Sequence, residues 1–90
     1  MTTLEMFSPV FKALSSPTRL QMVDLLKKRP LCVNALAVAL GISPAAVSQH
    51  LQVLRAASVV KAEKRGYFVH YRLNDETLAE FTRLLNEWLV

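Results

Sequence analysis

One cysteine, Cys32, among 90 residues excludes an intramolecular disulfide and suits a reducing compartment. Glycine is scarce, only Gly41 and Gly66, and no Gly-rich phosphate loop is recognisable. Although 52% of the residues are apolar, no uncharged run approaches the roughly 20 residues of a membrane span. Met1–Leu14 has no basic start and contains Glu5 and Lys12, so no signal peptide is expected. These absences point to a cytoplasmic protein. No buried carboxylate pair is recognisable either. Ser48, His50 and Cys32 are the obvious nucleophile and base candidates. Ser48 and His50 lie two apart on an expected helix, where side chains diverge by about 200° and cannot meet. No catalytic residue is therefore assigned, and an enzyme is not expected.

What is present fits one domain, 1–90. So small a domain buries a modest core, and its apolar surplus points to a subunit interface. The net charge is +4, unevenly spread. Arg55, Lys61, Lys64, Arg65 and Arg72 face only Glu63 in the middle of the chain. Arg83 stands alone against Asp75, Glu76, Glu80 and Glu87 at the end. A basic middle suits a polyanionic partner, although ordinary surface charge is the plainer alternative.

The stretch Leu31–Ser58 reads as a short helix, a tight turn and a longer helix. Leu36, Ala37 and Leu40 mark the first. Gly41 suits the left-handed position after it. Ser43 is an N-cap candidate with Pro44 at N1. Val47, Leu51 and Leu54 form one buried stripe on the second helix. Its other face carries Ala45, Ala46, Ser48, Gln49, Gln52 and Arg55, with no carboxylate. Small side chains, hydroxyls and amides are what a helix in a DNA major groove requires. The pattern is a helix-turn-helix with a reading helix.

Around it, Leu4–Leu14 reads as a helix with Leu4, Phe7, Phe11 and Leu14 on one side and Val10 beside them. Ser8-Pro9 implies a start or kink there. Core packing and subunit contact are both open for its aromatics. Ser16 caps a second helix from Pro17 to about Lys28, patterned by Leu20, Val23 and Leu26 or Lys27, with Met22 and Leu25 in adjacent positions. Lys27-Lys28-Arg29 complements its dipole or touches phosphate. Val59–Lys64 and Tyr67–Leu73 read as strands joined at Arg65-Gly66, a hairpin or wing. Lys64 and Arg65 at its tip could reach phosphate or a minor groove. Asn74 caps a last helix, Asp75–Val90, striped by Leu78, Phe81, Leu85 and Trp88, with Leu84 adjoining. Phe7, Val10, Phe11, Phe81, Leu85 and Trp88 are the candidate dimer interface.

The expected fold is mostly α with a small β-hairpin, in the order α-α-α-α-β-β-α. This chain resembles the ArsR/SmtB-type winged helix-turn-helix repressors. The resemblance rests on Ala13–Leu20, Leu31–Ala37, Ser43–Leu54 centred on Val47-Ser48-Gln49-His50-Leu51, and Val69–Leu73. It covers nearly the whole chain. It implies a homodimer joined through the first and last helices, bound to double-stranded DNA at an imperfect palindromic operator and released by an inducer. The DNA-binding candidates are then Ser43, Ala45, Ala46, Ser48, Gln49, His50, Gln52, Arg55, Lys64 and Arg65. For His50, a hydrogen bond inside the domain and a phosphate contact both stand. Arg19 suits a structural ion pair better than DNA. His70 and Tyr71 should face opposite sides of their strand.

Departures from the family pattern concern the signal. Cys32-Val33-Asn34 stands where many members carry Cys-Val-Cys, and the last helix has no His. After the reading helix, Ser58 stands where glycine is usual. One thiol per subunit is too few for a soft-metal site. No metal or cofactor is therefore expected, and the sequence names no inducer. Cys32 is expected to be a buried thiol packing the third helix under the first. The competing function is a winged helix used for protein–protein contact without specific DNA readout.

Overall fold

The computed structural model describes residues 4–90, so the first three residues of the Met1–Leu14 reading lie outside it. A short 3₁₀ turn at Glu5–Phe7 leads into α1 (Ser8–Leu14), α2 (Pro17–Lys28), β1 (Leu31–Cys32), α3 (Val33–Leu40) and α4 (Pro44–Ala56). The hairpin β2 (Val60–Arg65) and β3 (Phe68–Leu73) follows, then α5 (Asp75–Leu89).

Local chemistry sets the helix starts. Ser16 Oγ accepts the Arg19 N–H at 3.3 Å, Ser43 Oγ accepts the Ala46 N–H at 3.1 Å, and Asn74 Oδ1 accepts the Thr77 N–H at 3.4 Å. Each such cap contributes about 1 kcal/mol. Pro9 lies in the first turn of α1, where its missing donor costs nothing, which resolves the expected kink into a 3₁₀ turn followed by a helix. Gly41 adopts φ +67° and its N–H donates to Ala37 O, ending α3. Between α3 and α4 the chain bends by 110°, within the helix-turn-helix range.

The end of α4 is stranger. Ser58 takes φ +61°, among the described residues the one non-glycine at positive φ. The Ser58 N–H donates to Arg55 O and the Val59 N–H to Leu54 O, closing the helix with the left-handed cap that glycine normally supplies. A β-carbon in that conformation costs roughly 1 kcal/mol.

The hairpin is part of a larger sheet than the sequence suggests. Three antiparallel strands run in the order β1-β3-β2, with Leu31 opposite Tyr71 and Cys32 opposite His70. Leu31 and Cys32 are therefore strand, not the first residues of the helix-turn-helix. β2 sits one residue later than expected and β3 starts one residue later but ends at Leu73 as expected, so Gly66-Tyr67 forms the turn, with Gly66 at φ +61°.

Met22, Leu36, Val47, Leu51, Leu54, Val59 and Val60 fill the centre and are almost wholly buried. On α1, Val10 and Ala13 face the core, while Phe11 stays 40% exposed. On α2, Met22, Val23 and Leu26 point inward and Leu20 points out. Phe81 of α5 lies between Phe7 and Phe11, with ring centroids 5.7 and 5.0 Å away.

Candidate nucleic-acid interface

Val47, Leu51 and Leu54 hold α4 against the core, which fixes what its other side presents. Ser43, Ala45, Ser48, Gln49, Gln52 and Arg55 are all exposed, and Ala46 and His50 are half-buried at the border. Ser43 already uses its oxygen on the helix N-terminus, leaving its hydroxyl hydrogen to donate. Val53 and Ala56 are also exposed on α4, and the sequence analysis did not place them on that face. Small apolar side chains on a reading face are compatible with thymine methyl contact.

The wing adds cations. Lys64 and Arg65 are exposed at the end of β2. They are not equivalent. Glu63 accepts from Arg72 Nε at 3.1 Å and lies 4.0 Å from Arg65 Nη2, whereas Lys64 has no ion pair among the described residues. Arg65 must exchange a carboxylate for a phosphate, and Lys64 need not. Beside them Tyr67 stands fully in solvent and Phe68 is exposed. The aromatic and β-branched character of β3 marked these two as strand, so their exposure at the tip was not legible.

Arg19 has no ion pair with a carboxylate among the described residues, where a structural ion pair was expected. Its Nε donates to Ala13 O at 2.6 Å, its Nη2 to Lys12 O at 3.4 Å, and its Nη1 meets His50 Nδ1 at 3.3 Å. His50 is thus hydrogen-bonded inside the domain.

Cys32 is half-buried on β1, opposite His70, where a buried thiol was expected. Tyr71 packs against the core and His70 takes the other face, as alternation requires. His70 Nδ1 is buried without a hydrogen-bond partner. No group of three or more His, Cys, Asp or Glu side chains suited to a metal occurs among the described residues.

Of the candidate dimer residues, Val10 and Phe81 are spent in the protomer core, and Phe7 and Leu85 are half-buried. Phe11 and Trp88, the latter 63% exposed, are the open members. On the outer side of α5, Arg83 bridges Glu80 and Glu87. The hydrogen bond from Arg83 holds the Glu80 carboxyl below its ordinary range, and Arg83 is raised in turn.

A bent helix pair with a three-stranded sheet, its hairpin extended beside the second helix, is a winged helix-turn-helix. Residues 16–62 match the family model of the bacterial regulatory proteins of the arsR family, and the chain belongs to that family. It is 38% identical over 71 residues to the transcriptional repressor SdpR of Bacillus subtilis, covering 79% of each chain. It is 41% identical over 76 residues to the HTH-type transcriptional repressor SmtB of Mycobacterium tuberculosis, covering 84% of this chain but only 56% of SmtB. Among solved structures it is similar to the homodimeric winged helix-turn-helix DNA-binding domain of a possible ArsR-family regulator from Mycobacterium bovis. That match has a TM-score of 0.80 at 32% identity over 96% of this chain and 80% of the other. No single helix among the described residues is long and apolar enough to cross a membrane.

Proposed function

We propose that this chain is a cytoplasmic transcriptional repressor that binds duplex DNA as a homodimer, reading a palindromic operator with α4 and gripping the flanking backbone with the wing. Residues 1–90 combine DNA binding and dimerisation in one unit, with no catalytic role. The observation that carries the reading is the open face of α4, exposed and free of carboxylates, beside an unpaired Lys64. A protein-docking helix would not need both. The homodimeric, DNA-binding description of the similar M. bovis domain supports it.

A dimer of this kind requires two half-sites about one helical turn apart. Gln49 and Ser48 reach base edges, and Lys64 and Arg65 reach phosphate or the minor groove. Gel shift with genomic fragments selected by the protein tests this. Gln49→Ala should relax base preference by about 1–3 kcal/mol. Lys64→Ala should weaken all sequences alike and flatten the dependence of log K on log salt by about one ion. Parental behaviour of both variants would remove the assignment.

Cys32 is not the core of a metal sensor in this reading. Cys32→Ser should still bind its operator, and zinc, cadmium or arsenite at low micromolar levels should not release the parent. Specific release by one of these ions, abolished in Cys32→Ser, would show that the site gathers further ligands.

A further inference from the structure

Arg19 sits where three helices meet. Its own N–H is held by the Ser16 cap at the start of α2, and its guanidinium donates to the carbonyls of Lys12 and Ala13 in the last turn of α1. Lys12 O also accepts the Ser15 N–H at 3.2 Å, whereas Ala13 O has no other partner among the described residues, so the guanidinium satisfies a carbonyl that would otherwise need water. One remaining nitrogen, Nη1, meets His50 Nδ1 on α4 at 3.3 Å.

The direction of that last bond follows from chemistry alone. A guanidinium has five donors and no acceptor, and it does not deprotonate. His50 Nδ1 must therefore accept, which leaves the neutral ring with its hydrogen on Nε2. Among the described residues Nε2 has no hydrogen-bond partner, and it is not among the atoms closed off from solvent. His50 lies on the border of the open face of α4. The ring thus turns a donor outward at the edge of the surface read as DNA-binding, and Arg19 fixes both its tautomer and its orientation.

We infer that Arg19 is a positioning residue for DNA binding: anchored on the carbonyls of α1, it presents His50 Nε2–H as a donor to a backbone phosphate. This deepens the proposed DNA-binding function and rests on it. Arg19 itself touches no DNA. Its consequence is that α1, which carries Phe11, is tied by one side chain to α4.

Nitrogen-resolved NMR of the imidazoles in the free protein is the first arm. The Nε2–H tautomer is expected for His50, and an Nδ1–H tautomer would overturn the inference. The second arm measures affinity for a random-sequence duplex, since a phosphate contact is indifferent to sequence. In His50→Asn the amide oxygen replaces the Nδ1 acceptor, but nothing replaces Nε2. Arg19→Lys keeps the charge and loses the fork. Each should lower affinity by up to about tenfold, the scale of one charge-assisted hydrogen bond. The double variant should bind no more weakly than His50→Asn alone. A merely structural penalty of Arg19→Lys would persist in the His50→Asn background, so additive losses would refute positioning. If the parent itself retains no duplex, the phosphate role falls together with the DNA reading. The tautomer measurement still decides whether Arg19 holds His50.

Discussion

Phe81→Asp is expected to leave no folded chain. The ring is only 8% exposed and is enclosed by Phe7 and Phe11 of the same protomer. Removing a buried aromatic side chain costs about 3–5 kcal/mol. Placing a carboxylate in the vacated space adds several more, unless it takes up a proton. Domains of this size are stable by about 5–15 kcal/mol in total. The sum meets or exceeds what is available, and α1 and α5 would separate first. Circular dichroism should show no cooperative thermal transition, and sedimentation should show an expanded or aggregated species. A cooperative melt at the parental midpoint would contradict the packing described here.

Trp88→Glu should do something different. Trp88 lies in the last turns of α5, exposed in the protomer, as Phe11 partly is on α1. Losing it takes little from the protomer core, so the melting transition should persist. A charge within the proposed dimer face is another matter, because its desolvation would have no compensating partner. Sedimentation should report a folded monomer. DNA binding should fall steeply. With two linked reading heads, the second half-site is engaged at an effective concentration that raises affinity about 10²–10⁴-fold, and a monomer forfeits that factor. A variant that stays dimeric and binds as the parent does would place the interface elsewhere. The contrast between the two substitutions tests the separation of protomer core from proposed dimer face, which the sequence had grouped together.

That grouping shows where reading from sequence ran short. Helix caps were legible because their chemistry is local: a hydroxyl or amide oxygen three residues before the N–H it accepts. The buried stripe of α4 was legible because polar residues fill its other face. On α1 and α2, apolar residues occur around more of the circumference, so periodicity alone did not fix which side turns inward. Leu20 was misplaced for that reason. β1 is two residues long and exists only because β3 lies beside it, which no local pattern announces. The Arg19–His50 contact spans 31 positions and joins two residues that were each given two roles, neither naming the other. Ser58 was legible as a departure from glycine, and its left-handed backbone shows that serine was accommodated without changing the turn.

The pairing of Leu31-Cys32 with Tyr71-His70 has a mechanical consequence. β3 is laced on one edge to the strand that launches α3 and on the other to the strand that leaves α4. The hairpin is therefore no loose flap. In the proposed mode of DNA binding, its tip and α4 are the two jaws of a calliper whose hinge has been riveted. A gripping device with a fixed gap is sensitive to the width of what it grips. Duplexes of equal base content but different groove width would then be distinguished without any side chain touching the bases between the jaws.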